Sequence, residues 1–161
     1  MTRYAEGTQV ASDRSRAEIE ATLCRYGASA FSYGWDDSES IAMVKFRIAD
    51  RWVAMMLPLP PRDSREFTHT PGRALARSSS QREAAYEQAV RQRWRALALV
   101  IKAKLEAVES GISTVEREFL SDILLPDGSR LGDWAKPALE QAYATGLMPA
   151  RDSMLRLESG R

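Results

Sequence analysis

Residues Ser80–Gly111 carry an unbroken helical pattern, and no other feature constrains the fold of this chain as strongly. Large apolar side chains recur there in steps of three and four residues, the spacing of one face of an α-helix. They are Tyr86, Val90, Trp94, Leu97, Ile101, Leu105 and Val108. Ser80 and Glu83 have the spacing of a capping box, and Gly111 is a typical helix stop. A helix of this length has a long apolar stripe to bury, and we expect it to pack against a sheet.

The stretch before this helix shows the alternation that is typical of β-strands. Phe31, Tyr33 and Trp35 alternate with small residues. Two further runs, 42–48 and 52–59, have apolar residues at every second position, and prolines end the second run. Three short strands joined by short turns predict an antiparallel meander.

Capping patterns predict three more helices. Ser15–Glu18 predicts a first helix over residues 16–26, and Ser113–Glu116 predicts a short helix after the long one. Asp133 is expected to cap the last helix, with Pro137 in its first turn. The sequence therefore predicts an α+β fold with an N-terminal helix, a three-stranded antiparallel meander, one long helix and two shorter C-terminal helices.

The connecting and terminal segments have no periodicity. We expect a flexible lead-in over residues 1–14, a single domain over 15–149 and a flexible tail over 150–161. Residues 61–79 form a polar stretch that we expect to be a loop. Pro126–Gly128 predicts a turn, with a small hairpin around it.

The composition excludes several classes of protein. The apolar runs are too short to cross a bilayer, and the N-terminal residues lack the apolar core of a secretion signal. The single cysteine, Cys24, excludes an internal disulfide, and we expect it to be a small core residue. A cytoplasmic, reducing location is the expectation.

The charges are unevenly distributed although their sum is only +1. Residues 60–105 hold ten basic and four acidic side chains, whereas residues 106–161 hold six basic and ten acidic ones. A basic central block can face a polyanion, or it can face the acidic C-terminal part of the same chain.

The candidates for catalysis are weak. Asp36, Asp37 and Glu39 could hold a magnesium ion, but a solvated turn is the more common use of such a cluster. His69, the only histidine, could act as a general base, although a lone loop histidine usually has no such role. We found neither a phosphate-binding glycine loop nor a serine-nucleophile motif. We therefore expect no enzyme activity, no cofactor and no metal site.

Basic side chains on the long helix suggest a nucleic-acid surface. At 100° per residue, Arg91, Arg95 and Lys102 lie within about 40° of one another, and Arg93 lies on the other margin. Arg73 and Arg77 precede the same helix. Phosphate contacts need only positive charge at suitable spacing, so these six residues are the predicted nucleic-acid-binding set. The alternative is an ordinary solvated helix face.

Aromatic residues in the predicted strands allow a second mode of binding. Trp35 and Trp52 could stack nucleic-acid bases on an exposed sheet face, with Lys45 and Arg47 beside them. Aromatic residues of a small sheet are more often part of the core, and we expect most of these to be buried.

The long helix also carries a resemblance. The segments 92–109, 111–112, 118–120 and 125–128, together with Leu57–Pro60 and Glu66–Pro71, resemble an uncharacterised family of small proteins from tailed bacteriophages and prophages. This resemblance covers about residues 15–149. It implies a phage or prophage product in the bacterial cytoplasm that serves replication, recombination or the suppression of host defences. The predicted topology is also similar to the strand-strand-strand-helix core of single-strand annealing proteins.

Three functions follow as hypotheses. The first is a non-enzymatic accessory protein of phage DNA metabolism that binds DNA or RNA. The second is a protein-binding inhibitor of a host defence complex, of the anti-CRISPR kind, with an acidic or aromatic interface. The third is a homo-oligomeric structural protein.

Overall fold

The computed structural model describes residues 6–36 and 38–147, with side chains from residue 14 onward in those ranges. The elements are α1 (Glu6–Arg25), β1 (Ala30–Asp36), β2 (Ile41–Ile48), β3 (Arg51–Pro58), α2 (Arg65–Thr68), α3 (Ser79–Glu109), α4 (Val115–Glu118), a 3₁₀ turn (Leu120–Asp122) and α5 (Leu131–Thr145). The predicted α+β fold is confirmed. The predicted tail and residues 1–5 lie outside the described residues.

The strands form the predicted antiparallel meander, in the order β1-β2-β3. In the middle strand, Phe46 lies opposite Phe31 of β1 and Val53 of β3. Because side chains alternate along a strand, this register places the apolar even positions of β2 and the odd positions of β1 and β3 on one face.

Helices α1 and α3 pack side by side, and their buried residues join that face in one core. Ile19 and Leu23 of α1 and Ile101 of α3 are almost completely buried together with Val44 and Phe46 of β2. Burial of a side chain of this size contributes roughly 1.5–3 kcal/mol. The apolar stripe of α3 is therefore used as the sequence predicts.

The start of α3 lies earlier than predicted. The Ser78 hydroxyl accepts a hydrogen bond from the Gln81 backbone N–H at 3.3 Å, and the Gln81 side chain accepts one from the Ser78 N–H at 3.0 Å. Ser78, and not Ser80, is thus the N-cap of a reciprocal capping box. Ser80 lies inside the first turn. The two patterns overlap in sequence, and glutamine completes the box as well as glutamate does.

The predicted starts of the first and last helices are also wrong. Helix α1 begins at Glu6, so residues 6–14 of the predicted lead-in are helical and Ser15 lies within the helix. Helix α5 begins at Leu131, and Asp133 does not cap it but accepts a 2.8 Å hydrogen bond from Arg130 Nε. Pro137 is consequently the seventh residue of α5 rather than part of its first turn.

Residues 61–79 are more ordered than the predicted loop. They contain α2 and a bridge between His69 and Ala76, which makes a small hairpin with Gly72 at its turn in a left-handed conformation (φ 82°). Phe67 is buried edge-on against Tyr86 of α3, with ring centroids 5.5 Å apart. We refer to residues 65–77 as the arginine hairpin.

The predicted hairpin around residues 126–128 forms, and it also closes one edge of the sheet. Leu124 bridges to Arg130, and the Leu125 N–H donates to the Ser129 carbonyl at 2.8 Å. Ile123 bridges to Val53 of β3 in turn. No helix of the described residues has the length and apolar character needed to span a membrane.

Candidate nucleic-acid interface

Three predicted residues form a line of positive charge on the outer surface of α3. Arg91, Arg95 and Lys102 are all exposed, and they lie within about 40° of one another around the helix. Eleven residues separate the first from the last, which corresponds to about 16 Å along the helix axis. We call these three residues the basic row.

The charge of the basic row is only partly neutralised by the described residues. Arg91 faces Glu87 at 4.0 Å, and the arginine side chain keeps almost half of its exposure. Neither Arg95 nor Lys102 forms an ion pair with any described residue. An exposed pair such as Arg91–Glu87 contributes little to stability and is easily exchanged for another anion.

Towards the C-terminus of α3, the basic row is followed by acidic side chains. Glu106 and Glu109 follow Lys102 on the same side of α3, one and two turns further along. The Tyr26 hydroxyl donates to the Glu106 carboxylate, and this hydrogen bond raises the pKa of Tyr26. Positive charge on this side of α3 is therefore confined to residues 91–102.

The remaining predicted residues do not join the basic row. Arg93 projects from the opposite side of α3, about 180° away from Lys102. Arg73 is exposed at the turn of the arginine hairpin. Arg77 is half-buried, and its guanidinium donates to the Glu66 carbonyl at 3.1 Å, which holds the hairpin together. The six predicted residues thus form three separate groups.

The predicted nucleic-acid-binding set omits two exposed arginines of the basic block. Two other cations of that block, Arg62 and Lys104, contact neighbouring residues of the fold. Arg65 and Arg82 are exposed and form no ion pair with the described residues. Arg62 lies 4.1 Å from the centre of the Tyr86 ring and pairs with Glu83 at 3.2 Å. These two contacts place it at a shallow cleft beside α3. The only available signal for the missed arginines was their membership of the basic block.

Lys104 is the cation of α3 with the strongest structural contacts. Its ammonium group lies 5.3 Å from the centre of the Phe119 ring, donates to the Glu118 carbonyl and faces the Glu118 carboxylate at 3.9 Å. A lysine with these contacts fastens α4 to α3 and is not part of the free positive charge.

The aromatic side chains of the sheet do not form one stacking surface. Trp35 shares the core-side face with Tyr33, whereas Trp52 lies on the other face, where Lys45 is 4.8 Å from its ring centre. Trp35, Tyr33 and Trp52 are each at least 40% exposed, so the expectation that most of these residues are buried is wrong for them. They are exposed because they lie at a sheet edge or away from the helices.

The acidic turn has a structural role. Asp36 accepts hydrogen bonds from the backbone N–H and the hydroxyl of Ser38 and from the Glu39 N–H, and these bonds lower its pKa. Asp37 lies outside the described residues. Within the described part of the chain, no cluster of three histidine, cysteine or acidic residues could hold a metal ion.

His69 and Cys24 show no catalytic arrangement. His69 Nδ1 lies 2.9 Å from the Thr68 hydroxyl, and its backbone is part of the arginine hairpin. Cys24 is exposed, so the prediction of a core cysteine is wrong. The neighbouring Leu23 occupies the inward position on α1, and one residue along a helix turns the side chain by 100°.

Helix α5 presents a second distinctive surface. It contains no buried residue, and Trp134, Leu139 and Tyr143 are exposed to 44%, 57% and 85%. Its main contact is with the 3₁₀ turn, where Arg130 lies 3.6 Å from Asp122. Burial raises the pKa of Asp122, and the positive charge of Arg130 opposes that rise.

Comparison with known proteins adds no family. No protein-family model matches this chain, and neither the curated proteins nor the solved structures contain a match.

Proposed function

We propose that this protein binds nucleic acid without catalysing a reaction on it, and that the basic row is its phosphate-binding surface. The observation that carries the proposal is exposed and mostly unpaired positive charge on a helix whose other side is buried in the core. The resemblance to small phage proteins supports a role in phage or prophage DNA replication or recombination, in the bacterial cytoplasm.

The geometry of the basic row suits a phosphate backbone. Successive phosphates of one strand rise only about 3.4 Å along a duplex axis, so the three cations of the ~16 Å row are far enough apart to contact separate phosphates. Burial of Leu97 and Ile101 in the core fixes α3, so binding does not have to order the backbone that carries the cations. Contacts of this kind give affinity and orientation but no sequence specificity.

The salt dependence of the binding constant measures the contribution of these phosphate contacts directly. Each phosphate contact on duplex DNA contributes about −0.9 to the slope of log K against log salt concentration. Replacement of Arg91, Arg95 and Lys102 by alanine should therefore reduce the magnitude of the slope by up to about 2.7. Fluorescence anisotropy with labelled single-stranded and double-stranded DNA and RNA, at several salt concentrations, provides the measurement.

A matched control variant separates the effect of the basic row on binding from the effect of total charge. Arg51, Arg117 and Lys136 are exposed cations on other surfaces, and their replacement by alanine removes the same charge. The control variant should keep most of the affinity and the slope. Equal losses in both triple variants would show that net charge, and not this surface, is responsible. Absence of binding even at low salt would remove the proposal.

A second candidate function is binding to a protein of the bacterial host, such as a component of a defence complex. The exposed Leu139 and Tyr143 of α5, which lie about 40° apart around the helix, favour it, because an amphipathic helix commonly lays its apolar face into a partner's groove. Over residues 106–147 acidic side chains outnumber basic ones by eight to three, so the partner should have a basic rim.

A pull-down from bacterial lysate, with and without nuclease, discriminates between the two candidates. A stoichiometric partner that survives nuclease treatment and is lost with Leu139→Asp would support binding through α5. Leu75→Asp is the matched control, since Leu75 has a similar exposure of 60% in the arginine hairpin. A partner that disappears with nuclease would support the nucleic-acid proposal.

A further inference from the structure

The two edges of the sheet differ in whether another described segment of the chain pairs with them. At the β3 edge, Ile123 bridges to Val53 and the Leu124 N–H donates to the Trp52 carbonyl at 2.8 Å. At the β1 edge, no described segment pairs with the strand. Natural sheets usually protect an open edge with lysine, proline or a bulge. β1 has the sequence Ala-Phe-Ser-Tyr-Gly-Trp-Asp and carries no lysine or proline.

We propose that the β1 edge is a dimer interface, at which a second copy of this chain adds its own β1 and the two sheets join into one antiparallel sheet of six strands. This inference is independent of the proposed nucleic-acid function. It commits to a second copy because β1 is complementary to itself in shape and in charge.

The β1 strands of the two copies are complementary in shape when they pair about the middle of the strand. A two-fold axis at Tyr33, the central residue of β1, uses all seven residues and pairs Tyr33 with Tyr33 of the second copy. Phe31 then faces Trp35 on the same side of the sheet. Directly opposite aromatic residues are among the favourable cross-strand pairs. On the other side, Ser32 faces Gly34, so only small residues meet.

The aromatic residues are already ordered for this pairing within one copy. The ring centroids of Tyr33 and Trp35 are 6.4 Å apart and their planes are inclined by only 22°. The guanidinium of Arg16, from α1, lies 4.4 Å from the centre of the Tyr33 ring and also faces Trp94 of α3. These contacts hold the rings in place while they remain 43% and 55% exposed.

The complementarity in charge involves the ends of the strand. In this register Asp36 of one copy lies opposite Ala30 of the other. Arg47 of β2 is the neighbour of Ala30 on the same face. Its guanidinium pairs with the exposed Asp50 at 2.9 Å within one copy, and the small Ala30 side chain leaves it space to approach the second carboxylate. Hydrogen bonds from Ser38 and Glu39 lower the pKa of Asp36 and favour its ionised form. No like charges meet directly within the paired strands.

The first experiment measures the mass of the full chain in solution over a range of concentrations. We expect a species of twice the chain mass of 18.0 kDa, which falls to one chain mass with Trp35→Lys. Trp134→Lys, at a tryptophan of similar exposure on α5, is the matched control and should remain dimeric. Circular dichroism verifies that both variants are folded. A wild-type chain that stays monomeric at the highest attainable concentration would overturn the proposal.

Cysteine crosslinking tests the register independently. In a Cys24→Ser background, Tyr33→Cys should form a disulfide-linked dimer under mild oxidation, because residue 33 faces itself. Ser32→Cys and Gly34→Cys should each remain uncrosslinked alone and should crosslink when the two variants are mixed. A dimer in which Tyr33→Cys fails to crosslink, or in which Trp35→Lys has no effect, would place the interface elsewhere and contradict the proposal.

Discussion

Helices α3 and α5 are both amphipathic, but the chain uses them differently. Helix α3 buries seven residues against α1, α2 and the sheet, and both partners of its capping box are in place. Helix α5 buries none, although apolar residues line about half of its circumference, and its N-cap residue Arg130 makes no capping hydrogen bond. The difference shows that an apolar stripe predicts a face but does not predict what covers it.

The attachments of the two helices explain this difference. The stripe of α3 meets a sheet that presents Val44 and Phe46 along its length. Helix α5 is fastened at its beginning, where Arg130 contacts Asp122 and Asp133 and where Gly132 approaches Ser121. Local unfolding of α5 therefore breaks few contacts, and low local stability is typical of segments that bind partners.

A leucine-to-alanine substitution in the apolar stripe of each helix should give the largest difference in the free energy of unfolding between α3 and α5. Leu105 is 1% exposed in α3, and Leu105→Ala should lower the free energy of unfolding by about 2–5 kcal/mol because it removes buried atoms and leaves a cavity. Leu139→Ala in α5 should change it by less than about 0.5 kcal/mol, since surface substitutions usually have small effects. Urea denaturation of both variants provides the comparison. Similar losses would mean that the isolated chain covers the α5 stripe.

A glycine at the start of α5 tests how that helix is attached. A β-carbon at Gly132 would lie 2.8 Å from the Ser121 carbonyl oxygen and 2.9 Å from its β-carbon, so backbone would have to move. Gly132→Ala should cost about 1–2 kcal/mol and should increase hydrogen exchange in α5 while the core helices stay protected. Gly34→Ala is the control, because within one copy no atom lies within 4 Å of a β-carbon at that position, and across the proposed β1 pairing the added methyl group faces only the small Ser32. Uniform loss of protection would show that α5 and the core unfold together.

The sequence predicts the elements of this fold well where a period runs through many residues. Alternation between Ala42 and Ile48 gives the correct face of β2, and the three-four spacing from Tyr86 to Leu105 gives the correct face of α3. The 100° rotation per residue likewise brings Arg91 and its two neighbours of the basic row together. These periods are local properties of the backbone, so no tertiary information is required.

The features that the sequence does not predict depend on contacts between distant residues. The bridge between Val53 and Ile123 joins segments 70 positions apart, and nothing in either segment indicates the other. The contact of Arg77 with the Glu66 carbonyl depends on a hairpin that the sequence does not indicate. Trp52 lies opposite Arg47 and therefore on the face away from Trp35, a result of the strand register.

The smallest expected effect concerns the N-cap of α3, which is formed by a side chain, unlike that of α5. Two interpretations of the sequence differ in whether Ser78 or Ser80 is this N-cap. Ser78→Ala removes the hydroxyl that accepts from the Gln81 N–H and should lower the free energy of unfolding by about 1 kcal/mol. Ser80→Ala should change it by less than half as much, because Ser80 lies inside α3 and the hydrogen bond of its hydroxyl within the described residues goes to the Ser78 hydroxyl, at 3.1 Å, and to no backbone N–H of the first turn. Thermal and urea denaturation of both variants measure the difference. If Ser80→Ala had the larger effect, α3 would begin where the sequence pattern alone predicts, and the observed cap at Ser78 would be wrong.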